Sequence, residues 1–322
     1  MNTRVNESPL SRDTIILLAT YNGEQYLEEQ LMSILNQTYQ NFMCYIHDDH
    51  SKDKTVEIIE YYCQKYPNKF TQWSYESAHG AVGNFMSMIQ HATQKCCENY
   101  ILFCDQDDIW LPDKVENEVN HLKKLEGRYK DTPLLVYCDQ KLVDSKLNIY
   151  ADSSMKYMNY TRDHEKFQKL VFENCAAGCV IAINRKLLMM AANFQSEDSI
   201  VMHDWWLMLI ASVYGKIDYI DKPLMLYRQH NNNTLGAERK TLNIKLKKYM
   251  SNLHKSFNMK YKHIKKCEKQ VIELEKLSKV YGSINTVNEC SSICQKGKMA
   301  RIYNFCKKGY ISIKDCFTLL FL

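Results

Sequence analysis

The stretch TIILLATYNGEQYLEEQLMSILNQT, residues 14–38, decides the fold. TIILLA (14–19) is a short apolar run rich in Ile and Leu, closed by the turn residues TYNG, and such a run predicts a buried strand. After the turn, Leu27, Leu31, Ile34 and Leu35 recur at helical spacing, so a strand leads through a polar turn into a helix. The same alternation continues outward. FMCYIH (42–47) predicts a second strand and DKTVEIIEYYCQKY a second helix. Residues 70–75 predict a third strand, GNFMSMIQHA a third helix and YILFC (100–104) a fourth strand. Strands alternating with helices over about 90 residues imply an α/β fold with a mostly parallel sheet, right-handed crossovers and flanking helices.

Ligands of such sheets bind outside the carboxyl ends of the strands. Three polar clusters fall there: ATYNG after strand one, HDDHSKD after strand two and DQDD (105–108) after strand four. Any one of them suits a helix cap or a turn; three on one edge of one sheet point to a site. In DQDD, Asp105, Asp107 and Asp108 bring three carboxylates together, and burying them is costly without a cation between them. An Asp-x-Asp loop suits a hard divalent ion. Mg²⁺ keeps one or two protein carboxylates and takes its other ligands from water and phosphate, so the loop predicts a metal shared with a diphosphate. Trp110 and Pro112 follow, and a helix is expected to start at Pro112.

Further along, PLLVYCDQKLVD reads as a strand and CAAGCVIAINRKLL as a strand running into a helix begun at Asn184. HDWWLMLIASVYG reads as an apolar helix with Asp204 near its start, and KIDYI and PLMLYRQH as two strands. Asp204 suits a helix cap or, at a site, a general base. Beyond about Gly236 the chain reads as Lys-rich helices. The 322 residues carry a net charge of +5, unevenly spread: from Arg239 onward there are 19 Lys/Arg against 5 Asp/Glu, and before it 23 against 32. We divide the chain into a polar tail (1–12), an α/β domain (13–235) and a basic helical region (236–322). MNTRVNESPLSRD has no apolar segment of the secretory type, and no window reaches the roughly 18 apolar residues of a membrane span. The 13 cysteines lack paired zinc spacing, so reduced thiols in a cytoplasmic protein are expected. No nucleic-acid-binding module is visible, so nucleic acid is not an expected partner.

Taken together, LLATYNGEQYLEEQLMSILNQTYQNF, IHDDHSKDKT and YILFCDQDDIWLPDK resemble the donor-binding half of the family 2 glycosyltransferases, which have the GT-A fold. With HDWW and YRQH, the match is to the bacterial rhamnosyltransferase-like branch and covers roughly residues 13–235. The resemblance implies a role for each matching position. Tyr21 stacks on a uracil or thymine ring with Thr20 and Asn22 beside it, and Asp49 accepts the imide N–H of the base. Asn84 touches the donor, and Asp105 and Gln106 face the ribose and diphosphate. Asp107 is the principal ligand of Mn²⁺ or Mg²⁺, with Asp105 and His230 as further metal or diphosphate contacts. Asp204 is the base, while Gly178 and Trp205 lie on the acceptor side. Two departures stand out: the usual DDGSTD reads DDHSKD, putting His50 where the family has glycine, and RQHNNN lacks a glycine often found after the histidine.

The implied activity is transfer of rhamnose from dTDP-rhamnose, or of a glucose- or galactose-type sugar from a UDP-sugar, to a hydroxyl of a lipid-linked or surface glycan such as capsule or O-antigen. One base and one metal suit a single in-line displacement with inversion, unlike the paired flanking carboxylates of glycoside hydrolysis. The basic region, with Phe and Leu in YISIKDCFTLLFL, suits attachment to the anionic inner face of the cell membrane, where clustered lysines contribute about 1 kcal/mol each. The rival reading is a non-catalytic nucleotide-sugar-binding subunit of a polysaccharide assembly complex.

Overall fold

The computed structural model describes residues 12–76, 79–230 and 253–311. Strands β1 (Thr14–Thr20), β2 (Phe42–Asp48), β3 (Phe70–Trp73) and β4 (Tyr100–Cys104) form the parallel half of a nine-stranded sheet in the order β3-β2-β1-β4. Helices α1 (Leu27–Leu35), α2 (Thr55–Lys65) and α3 (Gly80–Lys95) are the crossovers that parallel pairing requires. β1 is buried on both faces, which is why its sequence is continuously apolar rather than alternating. Register fixes the site. Thr20 pairs with Asp48 and Leu18 with Cys104, so the chain leaves β1, β2 and β4 on one edge.

The other half of the sheet is mixed. β8 (Ile181–Asn184) runs antiparallel to β4 and to β6 (Leu134–Val143), and β9 (Lys216–Arg228) runs parallel to β6. A short β7 (Ile149–Ala151) pairs with β6. KIDYI and PLMLYRQH are one strand, not two. Pro223 cannot donate to a ladder, but it sits opposite Asp139 where the register shifts, and the bulge absorbs it. Likewise helix α4 (Lys114–Arg128) begins two residues after Pro112, because Ile109–Trp110 (β5) first pair with Leu226 and Met225 of β9. That pairing carries the DQDD loop onto the end of β9.

Short helices α5 (Ser154–Met158) and α6 (Phe167–Leu170) follow β7, and α7 (Arg185–Ala191) is capped by the Asn184 side chain. α8 (His203–Tyr214) is buried at every position from His203 to Ala211, as its apolar sequence demands. The C-terminal helices α9 (Leu253–Tyr281), α10 (Asn285–Cys294) and α11 (Lys298–Lys307) are not a detached zone. Cys267, Val271, Leu274, Val287 and Phe305 belong to the same apolar core as the sheet, while Lys262, Lys266 and Lys269 face solvent. The tail 1–11, the Lys-rich stretch 239–248 and the last residues of YISIKDCFTLLFL lie outside the described residues. Among the described residues no helix is long and apolar enough to cross a membrane, and every described cysteine is a free thiol.

Candidate active site

A cleft of about 760 Å³ opens over the shared strand edge. Thr20, Tyr21, Asp49, Asn84, Asp105, Gln106, Asp107, Gly178 and Asp204 all line it, so most of the expected site residues come together.

At one end the β1 and β2 loops are stitched to each other. The Thr20 hydroxyl donates to Asp48 at 2.8 Å, and Asp48 accepts from the Ser51 amide and hydroxyl. Asn22 does not line the cleft. It sits at φ 47, its amide donates to Ser51 Oγ and its Oδ1 accepts from the Lys52 amide, so it shapes the loop instead. Asn84 lines the cleft, but its amide group is bonded to His47 and the Thr20 carbonyl and ties β1 to β2. Asp49 is 6% exposed; it accepts from the Gly80 amide (2.7 Å) at the start of α3 and contacts His79 Nδ1 (3.1 Å). His50 adopts φ 59, a left-handed conformation that explains why glycine is usual there.

Tyr21, more than half exposed, has its backbone clamped by Gln106: Oε1 accepts from Tyr21 N at 2.8 Å and Nε2 donates to Tyr21 O at 2.9 Å. The side-chain amide thus behaves like a strand neighbour, locking the β1 loop to the β4 loop. Gly23 permits it, because a Cβ there would lie 2.2 Å from Gln106 Oε1.

The carboxylate centre answers the electrostatic problem posed by DQDD. His230 Nε2 meets Asp107 Oδ2 at 2.8 Å. Fully buried Asp108 accepts from Arg228 N at 3.0 Å, and Arg228 also donates through Nε to the Asp107 carbonyl, pairs with Glu29 and covers the Tyr26 ring. Lys114, buried beneath, is paired with Glu118. His230 itself is not part of the cleft wall; it stands behind Asp107. Among the described residues Asp105 has no basic partner, only the Cys179 thiol. Burial, reinforced by the Asp107 charge, lifts its carboxyl to about 7. Burial likewise pushes Asp108 well above the carboxylate range. Carboxylates so crowded gain most from a divalent cation; among the described residues the ligand atoms of Asp105, Asp108 and Cys179 lie within 4.8 Å of one another, whereas Asp105, Asp107 and His230 form no such group.

On the facing wall, Asp204 lies in the first turn of α8 and accepts from the Trp205 amide. Burial raises it to about 7, and the Asp105 charge adds to the shift, so the two carboxylates sense one another across the cleft. Gly178 forms the floor beside it, where a Cβ would lie 2.3 Å from His203 Nε2. His203 is stacked on Phe85, and burial lowers its pKa to about 3, so the ring is neutral. Trp205 is a correction to the acceptor-side reading. One helical position past Asp204 it turns into the core, 6% exposed, with its indole N–H on the Leu170 carbonyl. Trp206 is fully buried. His79, Gly80, Arg228 and His203 were not expected to matter. For Arg228 the signal was its place in YRQH, beside His230.

The family model described as glycosyl transferase family 2 matches residues 15–188. The dTDP-rhamnosyl transferase RfbG of Shigella flexneri is 33% identical over 227 residues, covering 68% of this chain and 74% of its own. The UDP-Glc:alpha-D-GlcNAc-diphosphoundecaprenol beta-1,3-glucosyltransferase WfgD of Escherichia coli is 23% identical over 175 residues, 54% of this chain and 60% of its own. The crystal structure of S. aureus TarS 1-349 in complex with UDP-GlcNAc aligns with a TM-score of 0.51 at 16% identity, covering 95% of this chain and 89% of that one. At that identity the likeness speaks for the fold alone.

Proposed function

The chain belongs to glycosyltransferase family 2, and from that premise we propose that it is a metal-dependent inverting hexosyltransferase. Its donor is dTDP-rhamnose or a UDP-hexose, and its acceptor a hydroxyl of a lipid-linked or surface glycan. The observation that carries the reading is one cleft with Asp204 on one wall and Asp105 and Asp107 on the other, close enough for charge on one side to shift the other. The names of the relatives support the two donor classes: one is a dTDP-rhamnosyl transferase, the other uses UDP-Glc.

Each residue has a task that follows from its surroundings. The exposed Tyr21 ring offers a face for a pyrimidine, and the Gln106 clamp keeps its backbone from moving. Asp49, held by Gly80, accepts the imide N–H that uracil and thymine share. Asp105 and Asp107, backed by His230, would hold Mn²⁺ or Mg²⁺; a cation there neutralises charge on a departing diphosphate. Asp204 takes the proton of the acceptor hydroxyl as that oxygen attacks the anomeric carbon. Burial keeps its carboxylate basic enough to do so near neutral pH. With a single base, the attack is a single displacement from the face opposite the leaving group, and the anomeric centre inverts. The solvent-facing lysines of α9 support attachment to an anionic membrane, where lipid-linked acceptors are presented.

The test is nucleoside diphosphate release from a panel of dTDP- and UDP-sugars with divalent cation. Turnover of one donor that Asp107→Ala abolishes, in a variant that still folds, is expected. Donor binding without turnover under every condition would instead favour a non-catalytic subunit.

A further inference from the structure

Asp49, His50 and His79 place one carboxylate oxygen and two imidazole nitrogens within 4.8 Å of one another at the nucleobase end of the cleft. The Asp105–Asp107 centre belongs to the strand-four loop and offers mainly oxygen; this second group offers nitrogen. Imidazole suits Zn²⁺, Cu²⁺ and Ni²⁺, whereas carboxylate with water suits Mg²⁺ and Mn²⁺, so the two groups select different ions.

The geometry is that of a half-closed ligand set. Asp49 is fixed, because its Oδ2 accepts from Gly80 N at 2.7 Å, and this leaves Oδ1 toward His79 Nδ1 at 3.1 Å. The His50 and His79 rings are 5.3 Å apart and tilted by 60°. Both histidines are exposed, His79 by 79%, so small side-chain rotations bring all three atoms to the spacing of about 3.3 Å that metal–ligand bonds of about 2.0–2.1 Å set in a tetrahedron. Three protein ligands leave a fourth position for water. The Gly80 N–H on the far carboxylate oxygen supplies the outer support that orients a ligand. His50 holds its place at φ 59, a conformation costly for a non-glycine residue.

We propose that Asp49, His50 and His79 form a second cation site, for a transition metal of the Zn²⁺ class, and that this cation and the nucleobase exclude one another. The exclusion, though not the metal site, rests on the reading of Asp49 as the acceptor of the nucleobase N–H: with Oδ2 turned to Gly80 N, a hydrated ion held between Oδ1, His50 and His79 takes up the cleft space from which the base would donate.

The experiment uses the full chain with Mg²⁺ in excess to fill the Asp105–Asp107 centre. Zn²⁺ binding is measured by calorimetry and Co²⁺ binding by its visible spectrum, for wild type, His50→Gly, His79→Gln and a His121→Gln control. His50→Gly relieves the left-handed backbone, so misfolding does not explain a loss. Wild type and His121→Gln are expected to bind one Zn²⁺ with a tetrahedral Co²⁺ spectrum, and His50→Gly and His79→Gln to bind at least about tenfold more weakly. Equal binding and equal spectra in all four proteins would overturn the site. UDP and dTDP are then titrated with and without Zn²⁺. Their affinity should fall at least about tenfold with Zn²⁺ in wild type and be unchanged in His79→Gln. If the metal site is confirmed but wild-type nucleotide affinity ignores Zn²⁺, the exclusion fails while the metal site stands; Asp49→Asn, with UDP affinity measured in chelator, tests the nucleobase assignment separately.

Discussion

Asp204 and Asp105 set the pH behaviour, because burial lifts both carboxyls to about 7. As a base Asp204 works only when ionised, so kcat/KM should rise with pH along a limb centred near 7. A cation held by Asp105 keeps that carboxylate ionised and adds positive charge nearby, so in the working enzyme the limb reports Asp204 and lies at or below that value. Stability follows the opposite sign. An acid whose folded pKa lies above its unfolded value binds more protons in the native state. Its contribution therefore diminishes as pH rises from about 4 through 7. In protein held in chelator, Asp105→Asn should then raise the thermal midpoint at pH 8 and leave it nearly unchanged at pH 5; no difference between the two pH values would count against the buried charge. Gly178→Ala tests the floor. Its methyl would meet a His203 ring already stacked on Phe85, and urea unfolding should show a loss of about 1–3 kcal/mol. At this scale the sequence was legible in placement: Asp105, Asp107, Asp204 and Tyr21 all line one cleft. It was silent on direction. Asn22 and Trp205 are the right types beside the right neighbours, but a turn at φ 47 and one step of a helix point them elsewhere.

Elements were legible through period and failed where pairing partners decide. TIILLA and YILFC were found nearly to the residue, because buried parallel strands are continuous apolar runs. Pro223 marked a break that β9 takes up in bulges of its own, running from Ile220 to Leu226 while β6 runs only from Cys138 to Lys141, a pairing visible only with the neighbour in place. The clearest loss is α9. Its Lys-rich pattern conceals Gln270 and Glu273, both buried: Gln270 Oε1 accepts from Val201 N at 2.7 Å and Glu273 Oε1 from Gln195 N. These bonds pin the segment that delivers Asp204 to the cleft. Gln270→Leu should leave the part-buried Val201 amide without its acceptor, costing about 1 kcal/mol. As a positioning defect it should also lower kcat while donor affinity, measured by calorimetry, stays within about twofold. A fall in affinity equal to the fall in rate would mean that the damage is general.

For the whole molecule, the charge split between the acidic first part and the basic last quarter was plain in the sequence, but the shared core was not. The apolar residues that join α9–α11 to the sheet are spaced among lysines, so they read as helix surface. Removing everything after Gly236 would therefore expose that core, and membrane attachment is better tested with the chain intact. Lys262, Lys266 and Lys269 face solvent on α9. Changing all three to Glu should reduce co-sedimentation with anionic vesicles at low salt, and raised salt should release the wild type, since screening acts within about 8 Å at physiological ionic strength. Vesicle binding identical in both proteins would remove these lysines from the account. Asp204 is proposed to be the base with which this fold turns over a sugar nucleotide. Its most direct test is nucleoside diphosphate release with acceptor present, from whichever dTDP- or UDP-sugar the wild type accepts, by wild type and Asp204→Asn, with donor affinity measured alongside. The rate is expected to be lower by about a hundredfold or more in the variant, with unchanged donor affinity. A variant as fast as wild type, or one slow only because it no longer binds donor, would contradict it.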